Sequence, residues 1–335
     1  MRFHRAVRFI ALALVLPAIP AALSSPSSAQ IGIGIGISVH IGPPALPVYE
    51  QPLCPGAGYL WTPGYWAWDD DAGYYWVPGT WVVAPVGMLW TPGYWGWNDG
   101  LYVWNAGYWG PHIGFYGGIN YGFGYGGVGF VGGEWRGGAF FDNTAVMHVD
   151  TVHITNVYVN RTVIVNNDSH VAFNGGEGGI AARPTAEEEA YSREPHQPAV
   201  AAQVQQEHAA SQNKALFASN NHGAPAVAAT ARPGEFSGHG VVAAKAAGAP
   251  YRAPAMSPRE ARATPAESRG SETRGSEMRN DNNSRPSTPP ARTENARPQN
   301  ESHPANAPKA KPANQPKPPK NNKKPPEEEK HDKGR

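Results

Sequence analysis

Histidine and carboxylate side chains that lie close together in the sequence are the first candidates for chemistry. His148, Asp150 and His153 fall within six residues, and all three are of types that bind Zn²⁺. The surrounding segment predicts a β-strand, on which His148 and His153 would point to opposite faces. The 12 histidines of the chain are scattered and do not show the short spacings of a zinc site. We therefore predict no metal-binding residue.

A glycine-rich run resembles a dinucleotide-binding loop without completing it. The sequence from Gly122 to Gly127 has the spacing of that fingerprint, and Asp142 lies 20 residues after Gly122. The fingerprint requires a helix after the loop, whereas further glycines follow here. We predict no cofactor.

Three residues near the first repeat resemble the start of a calcium loop. Asp69, Asp71 and Gly73 have suitable spacing, but Thr80 stands at the twelfth position, where such a loop needs a glutamate. A solvated turn is the better interpretation.

The sequence offers no assignable nucleophile. Its one cysteine, Cys54, has no identifiable base partner, and it is either a free thiol or one half of an intermolecular disulfide. The Gly-x-Ser-x-Gly sequence of a nucleophile elbow is absent. No pair of carboxylates can be assigned to glycoside cleavage. We predict that the protein is not an enzyme and has no catalytic residue.

Tryptophan gives the sequence its most regular pattern. Ten of the eleven tryptophans lie between Trp61 and Trp109. Eight of them belong to four copies of the phrase W-x-P-G-x-W, the last with alanine in place of proline. The first tryptophans of successive phrases are 15, 14 and 14 residues apart. Such a period indicates a repeated structural unit. The phrases occupy residues 61–66, 76–81, 90–95 and 104–109.

Turn-forming segments separate the phrases. Asp or Asn residues followed by glycine, at 69–73 and 98–100, are typical of hairpin turns, and 84–87 is also turn-like. Aromatic and β-branched residues dominate elsewhere, which favours strands. We predict a mainly β fold: four repeats build a small, aromatic-rich antiparallel sheet, followed by a Gly-rich segment and a long disordered C-terminal tail. The expected strands form a meander over residues 58–68, 74–83, 88–97 and 101–110.

The Pro-Gly pair inside the phrases needs a structural explanation. Two tryptophans five residues apart point to opposite faces of a regular strand. A β-bulge with its glycine at positive φ would restore them to one face and accommodate the proline, and we favour it. The alternative is a type II turn in each phrase, which gives more and shorter strands. The residues assigned this structural role are Trp61, Gly64, Trp66, Trp76, Gly79, Trp81, Trp90, Gly93, Trp95, Trp104, Gly107 and Trp109.

The tryptophans could form a core or a binding face. The repeat region has few aliphatic residues, so most indoles must be buried against one another or against neighbouring segments. The candidates for exposed rings that stack on a ligand are Trp68, Trp97 and Tyr108.

Strand-forming sequence flanks the repeats on both sides. Residues 31–41 alternate isoleucine or valine mostly with glycine, which predicts a strand that either joins the sheet or is offered to a partner. Residues 110–141 are rich in glycine and aromatic residues, and we expect their rings to pack on the sheet. Residues 146–165 carry the strongest strand signal outside the repeats.

Later segments predict only marginal helices. Thr185 followed by Glu188 fits a capping box, so a short helix is expected to begin at Ala186. A second, Ala- and Gln-rich helix is expected within 199–217. The folded part should therefore cover about 45–175.

Composition divides the chain into segments. A basic start, a short apolar run and small residues predict a secretory signal peptide, whereas the C-terminal region has almost no large apolar residues and should be disordered. The predicted segments are a signal peptide (1–29), an Ile/Gly strand with a Pro-rich lead-in (30–57), the repeat module (58–110), a Gly- and aromatic-rich segment with strands (111–182), an Ala-rich, marginally helical or disordered segment (183–250) and a disordered Pro/Lys/Arg/Asn-rich tail (251–335).

Charge is segregated along the chain. Residues 30–250 hold 7 basic and 16 acidic residues, whereas residues 251–335 hold 18 basic and 11 acidic residues. A cationic arm favours an anionic partner such as an envelope polymer or polysaccharide, and export argues against nucleic acid. No apolar stretch after the signal peptide is long enough to span a bilayer.

The phrases resemble the YXWGXW (WXXGXW) repeat family. The match rests on the four phrases and the two residues before each, with Met88 where the other three copies have tyrosine. It covers about 52 of the 335 residues. The resemblance implies a bacterial exported envelope protein; the family's biochemical role is undefined, and it supplies no catalytic residue.

These observations predict a non-enzymatic exported envelope protein with a structural or interaction role, located in the periplasm, the outer envelope or outside the cell. Two alternatives stay open. The repeat module could bind cell-wall carbohydrate, or the protein could self-assemble through the strand at 31–41.

Overall fold

The computed structural model describes residues 36–162 and 169–268. The predicted signal peptide, the start of the Ile/Gly strand (31–35), the segment 163–168 and the tail beyond residue 268 lie outside the described residues. Within the described ranges the chain is mainly β, and short helices occur in its later part.

No described strand is longer than five residues. The strands are β1 (Ser38–Val39), β2 (Tyr59–Thr62), β3 (Tyr65–Asp69), β4 (Gly73–Val77), β5 (Gly79–Val83), β6 (Leu89–Thr91), β7 (Tyr94–Asn98), β8 (Leu101–Asn105), β9 (Tyr108–Gly110), β10 (Asn120–Gly122), β11 (Tyr125–Gly126), β12 (Gly133–Arg136), β13 (Ala139–Asn143), β14 (Val157–Tyr158), β15 (Phe173–Asn174), β16 (Ala229–Thr230) and β17 (Val241–Val242).

The helices are also short. They are α1 (Ala186–Tyr191), α2 (Ala201–Ser211), a 3-10 turn (Lys214–Leu216), α3 (Ala218–Asn221) and α4 (Pro258–Ala261). Across the described ranges, no helix has both the length and the apolar character that crossing a bilayer requires.

The first two phrases form one long antiparallel hairpin, here called the first hairpin (59–83). β3 pairs with β4 beside the turn, and β2 pairs with β5 farther out. Trp66 lies opposite Trp76, and Trp61 lies opposite Trp81. Both ladders therefore share one register, and no residue is inserted where the ladder is interrupted.

The last two phrases repeat this arrangement in the second hairpin (89–110). β7 pairs with β8 beside the turn, and β6 pairs with β9 farther out. Trp95 lies opposite Trp104, and Trp90 lies opposite Trp109. Each hairpin thus brings its two phrases together in opposite directions.

The predicted meander is corrected in two respects. Each expected strand has nearly the right limits but is split in two at its Pro-Gly or Ala-Gly pair. The turn at 84–87 connects β5 to β6 without pairing them, because β16 pairs in parallel along the edge of β5 that a continuous meander would use. The result is two hairpins instead of one four-stranded sheet.

The turns explain the unequal spacing of the phrases. In the first hairpin, residues 70–72 connect Asp69 to Gly73, and the Asp69 carboxylate accepts hydrogen bonds from two backbone N–H groups of this turn. In the second hairpin, Asp99 and Gly100 form a two-residue turn, and both have positive φ, as a type I′ turn requires. The longer first turn accounts for the spacing of 15 rather than 14.

The two hairpins are tied together through buried aromatic side chains. The Trp95 indole N–H donates to the carbonyl of Trp66 at 2.7 Å. The Tyr125 hydroxyl lies 3.0 Å from the carbonyl of Trp90 and 3.3 Å from that of Trp61. Trp61 and Trp90 begin the first phrase of their hairpins, so one tyrosine joins equivalent points of the two hairpins.

Strands from outside the repeats extend both hairpins. On the second hairpin the strand order is β1-β8-β7-β15, with β1 antiparallel to β8 and β15 parallel to β7. On the first hairpin the order is β17-β16-β5-β2. The described end of the Ile/Gly segment is therefore an additional strand of the sheet.

The Gly- and aromatic-rich segment packs its rings on the hairpins, as expected. It forms two small hairpins, β10–β11 and β12–β13. The side chains of Tyr116, Tyr121 and Tyr125 are buried in the same core as the tryptophans.

The strand predicted over 146–165 is largely wrong for its described part. β14 is the strand formed there, and Asp150–Ile154 form a turn in which the N–H groups of His153 and Ile154 donate to the Asp150 carbonyl. The Asp150 carboxylate also accepts from Val152 N–H at 2.9 Å. Such local bonds compete with a strand ladder for the same backbone groups.

Residues beyond the expected limit of the folded part also pack on the repeats. α1 begins at Ala186 with the predicted Thr185–Glu188 capping box. After α2, the Phe217 ring packs against Tyr75 of β4 at 5.4 Å. The expected limit of about 45–175 is wrong, because short Ala-rich segments without a clear apolar period complete their burial on the edges of the repeat hairpins.

Part of the region assigned to the disordered tail is packed as well. α4 lies at 258–261, and the side chains of Ala261 and Ala263 are buried. The prediction of disorder is therefore wrong for residues 251–268. Residues 269–335 lie outside the described residues.

Candidate functional site

Each phrase glycine lies beneath the first indole of the opposite phrase. A Cβ atom added at Gly64 would lie 2.3 Å from the ring of Trp76, and one added at Gly79 would lie 2.5 Å from the ring of Trp61. The main chains also cross closely, since the added Cβ of Gly64 would lie 2.8 Å from Gly79 N. Only glycine leaves room for both the ring and the second backbone.

The second hairpin has the same reciprocal packing. A Cβ at Gly93 would lie 2.5 Å from Trp104, and one at Gly107 would lie 2.6 Å from Trp90. None of the four phrase glycines has a positive φ. Both explanations based on positive φ, the bulge and the type II turn, are therefore wrong, although the more numerous, shorter strands expected from the second are present. Close approach of ring and backbone is what requires glycine.

Three indoles of the first hairpin hold flanking segments through their N–H groups. Trp66 donates to the carbonyl of Ala45 at 3.1 Å, and Trp81 donates to that of Pro52 at 3.0 Å. Trp76 donates to the carbonyl of Ala228 at 2.9 Å. The acceptors belong to segments on both sides of the repeats in the sequence.

Two further indoles complete this picture. Trp109 donates to the side-chain oxygen of Gln203 on α2 at 2.8 Å, and Trp135 donates to the carbonyl of Met88 at 2.8 Å. The buried N–H of Trp61 has no hydrogen-bond partner among the residues described. The indoles thus act as donors to polar groups of the rest of the chain, in addition to filling the core.

The three residues predicted to stack on a ligand differ in exposure. Trp97 is 42% exposed. Trp68 is only 7% exposed, so its predicted exposure is wrong: it packs edge-on against Tyr74, and its N–H donates to Asp70 at 2.9 Å. Tyr108 is partly buried, because the ring of His196 stacks on it at 3.7 Å. Trp97 is the one of the three that presents a ring to solvent.

A cleft of about 110 Å³ opens where the four phrases meet α2. The central prolines of three phrases and Ala106 of the fourth line one side, and polar side chains of α2 line the other. Those polar groups are already bonded within the protein: Gln203 accepts from Trp109, and Gln206 donates to the carbonyl of Pro78 at 3.0 Å. This cleft therefore lies in the packing interface between the repeats and α2.

Glu207 and Tyr65 lie in the same interface between the repeats and α2. The Tyr65 hydroxyl donates to the Glu207 carboxylate at 3.1 Å. Burial raises the pKa of Tyr65 well above its usual range, and burial also raises the pKa of Glu207. A tyrosine with a raised pKa keeps its proton and can donate it in this hydrogen bond.

A second cleft, of about 130 Å³, lies beside the first hairpin. Aromatic side chains from Tyr49, Trp76, Tyr121 and Phe123 line it, together with His170. Both clefts are smaller than the roughly 300 Å³ at which pockets begin to enclose drug-sized ligands. Their geometry suits packing of the protein's own segments better than enclosure of such a ligand.

Two ionisable side chains outside the hairpins, Cys54 and Asp142, are buried. Cys54 is a free, buried thiol, and burial raises its pKa to about 12, so it is protonated at neutral pH. Asp142 is buried without a hydrogen-bond partner for its carboxylate among the described residues, and burial raises its pKa to about 7. The Cys54 thiol is therefore not in the thiolate form that acts as a nucleophile.

Residues that the sequence analysis considered as metal or calcium ligands contact other groups of the protein. His148 contacts the carbonyl of Gln51 at 2.9 Å, and His153 pairs with Asp150 at 2.6 Å within the turn. In the part of the chain that the structure describes, no group of three or more His, Cys, Asp or Glu side chains could hold a metal ion. Asp71 pairs with Arg259.

Comparison with known proteins identifies the repeat. No curated protein and no solved structure matches the chain. The family model that does match is described as the WXXGXW repeat, and it matches twice. Each match spans two phrases and the hairpin they build, so the predicted number of four repeats is corrected to two. The chain carries two copies of the WXXGXW repeat, at residues 56–82 and 86–109.

Proposed function

We propose that this chain is a non-enzymatic exported protein of the cell envelope, in the periplasm, the outer envelope or outside the cell. Its repeat hairpins act as a scaffold that holds weakly structured flanking segments and presents a cationic arm. One observation carries this proposal: the indole N–H groups of the first hairpin bind main-chain carbonyls at Ala45, Pro52 and Ala228.

The scaffold role is supported by how the flanking segments are stabilised, since the indoles supply burial and hydrogen bonds that these segments lack by themselves. The segments around Ala45, Pro52 and Ala228 contain few regular elements of their own. A buried indole contributes roughly 5 kcal/mol gross, from about 200 Å² of buried surface at about 25 cal/mol/Å². Its hydrogen bond adds about 1 kcal/mol and fixes where the flanking chain is held.

The partner of the arm is an anionic envelope polymer or polysaccharide. Residues 269–335 hold 15 basic and 9 acidic residues, so this region keeps most of the positive excess that follows residue 250. Clustered positive charge attracts polyanions, and the attraction weakens as salt screens it. Export supports an envelope polymer over nucleic acid as the partner.

Retention on isolated cell envelopes tests the arm. Replacing the 15 basic residues of 269–335 with glutamine should abolish retention at low ionic strength, while the original chain is retained and is released as salt rises. The matched control replaces the prolines of the same segment with alanine, which keeps the charge. Equal retention of the original chain and the variant without these basic residues would overturn this partner.

Carbohydrate binding is a second candidate, and the exposed ring of Trp97 favours it. Flat aromatic rings open to water provide stacking surfaces, and Trp97 is 42% exposed beside the edge-on pair of Tyr102 and Phe173. Titration of tryptophan fluorescence with a panel of cell-wall glycans tests it. Trp97→Ala should remove the response and the exposed Val86→Ala should keep it; a flat response of the original chain to every glycan contradicts it.

A further inference from the structure

Residues 257–268, here called the strap, cover the outer edge of β1. The N–H of His40 donates to the carbonyl of Ala261 at 2.8 Å, and the N–H of Ala263 donates to that of Ser38 at 2.9 Å. These bonds flank an antiparallel bridge between Val39 and Arg262. The opposite edge of β1 is paired with β8, so the strap acts as one more strand of that sheet.

Opposite charges hold the strap to the turn of the first hairpin. Arg259 Nε lies 2.6 Å from an Asp71 carboxylate oxygen, and Arg262 Nε lies 3.6 Å from Asp70. The side chains of Arg259 and Asp71 are 79% and 70% exposed. Ion pairs open to water in this way are weak and are screened by salt.

The rest of the strap's attachment is modest. Its buried side chains include the small residues Ala261 and Ala263, which remove little apolar surface from water. Arg262 Nη1 is a buried donor without a hydrogen-bond partner in the described part of the chain, which costs free energy while the strap is in place. His40 Nε2 also lies 3.8 Å from a carboxylate oxygen of Glu267, which belongs to the strap. The strap is thus held by two main-chain bonds, three side-chain pairs that contact water and the burial of two alanines, against one unsatisfied donor.

The chain before the strap gives it freedom to move. Residues 249–256 are mainly exposed and contain Pro250 and Pro254, so they form a spacer with little packing of its own. A spacer of eight residues reaches at most about 28 Å when extended. That reach allows the strap to leave β1 while the rest of the fold stays intact.

We propose that the strap is releasable and that the β1 edge beneath it is a strand-addition surface whose occupant is the strap of a second copy of this chain. The exchanged strap makes the same two main-chain bonds and meets the same two aspartates, because the residues are identical. An open sheet edge with unpaired N–H and C=O groups readily accepts such a strand. This inference goes beyond the proposed function, since it requires neither the cationic arm nor an envelope polymer.

Amide hydrogen exchange on the unaltered chain tests the release. At about 1 M salt the Debye length falls to about 3 Å, so the amides of His40 and Ala263 should exchange at least about tenfold faster than at about 0.02 M. The Trp104 amide, which donates to Ile37 on the other edge of β1, is the internal control and should change by less than about twofold. Equal behaviour of the three amides would overturn the idea that the strap opens separately.

A pair of charge variants tests the occupant by sedimentation. Asp70→Asn with Asp71→Asn should release the strap at low salt, so that the mean mass rises with protein concentration. The control, Glu187→Gln with Glu189→Gln, removes the same charge at exposed positions of α1 and should sediment like the original chain.

Adding Ala263→Pro to the Asp70/Asp71 variant distinguishes the mode of association. Proline removes the N–H that binds Ser38, so an exchanged strap can no longer pair and association should be lost. Association that survives Ala263→Pro, or no association of the Asp70/Asp71 variant at any concentration, would overturn the assignment of the strap as the occupant.

Discussion

The two repeat hairpins share one internal geometry but differ in how deeply their rings are buried. Trp68 and Trp97 occupy equivalent positions, each the last tryptophan before its turn, yet they are 7% and 42% exposed. Trp76 and Trp104 are also equivalent; Trp76 is fully buried, whereas Trp104 is only partly buried. The repeat sets the packing within a hairpin, and the rest of the chain sets its exposure.

Segments that pack on the inner ladders account for the difference. On the first hairpin, Phe217 packs against Tyr75 of β4, and the Trp76 indole donates to the carbonyl of Ala228. On the second hairpin, β1 and β15 pair with the edges of the inner ladder, and Trp97 and Trp104 stay partly open to water. The two hairpins have similar sequences, but the tryptophan rings of the first are buried in the core, whereas some rings of the second stay partly open to water.

The largest expected effect compares the equivalent residues Trp76 and Trp104. Trp76→Ala should lower the free energy of unfolding by about 4 kcal/mol, because a fully buried ring and its bond to Ala228 are both lost. Trp104→Ala should lower it by about 2 kcal/mol, since part of that ring already contacts water. Denaturant unfolding of both variants measures the difference, and equal losses would contradict the contrast between the hairpins.

The phrase glycines give the next effect. Gly79→Ala should destabilise the protein by about 3 kcal/mol, because its Cβ would meet the Trp61 ring and Gly64 N. The control is Gly100→Ala in the second turn, where an added Cβ has free space and only the positive φ opposes alanine; it should cost about 1 kcal/mol. Thermal unfolding compares them. If Gly100→Ala lowers the stability more than Gly79→Ala does, backbone conformation and not close packing would be the main reason for glycine in the phrases.

Trp68 and Trp97, the last tryptophans before the two hairpin turns, test whether exposure sets the cost of removing a ring. Trp68→Ala should cost about 2.5 kcal/mol, because a buried ring and its bond to Asp70 are removed. Trp97→Ala should change the free energy of unfolding by less than about 1 kcal/mol. Urea unfolding at constant pH checks both values. If Trp97→Ala proves as costly as Trp68→Ala, the second hairpin is covered in solution.

The last prediction concerns the tyrosine hydroxyl that both hairpins share. Tyr125→Phe removes the hydroxyl that reaches the carbonyls of Trp61 and Trp90 and keeps the ring. We expect a loss of about 1.5 kcal/mol, because two buried carbonyls share the lost donor. Tyr116→Phe is a suitable comparison, since that hydroxyl binds Gly129 outside the hairpins. Loosening of the contact between hairpins, seen as faster amide exchange in β2 and β6, should follow from Tyr125→Phe alone.

The sequence predicted local features well. Aromatic patterning placed the strand limits, turn residues placed both hairpin turns, and Thr185 with Glu188 placed the start of α1. These features depend on neighbouring residues, so a local pattern contains the information.

Long-range features could not be read in the same way. The glycines at Gly64 and Gly79 face each other across the hairpin, and only the pairing of two phrases reveals why they are needed. The addition of β16 to β5 joins residues about 150 positions apart through a two-residue strand, which has no periodic signal.

The reciprocal packing of indole on glycine restricts how such a chain can lengthen or shorten. A single extra phrase would bring an indole with no glycine to rest on and a glycine with no ring above it. Growth or loss should therefore proceed by an even number of phrases, which here means steps like the 29 residues from Trp61 to Trp90. Sequences built from this motif are therefore expected to contain an even number of phrases. In a chain with an odd number, the unpaired phrase would have to form its hairpin with a phrase of another chain.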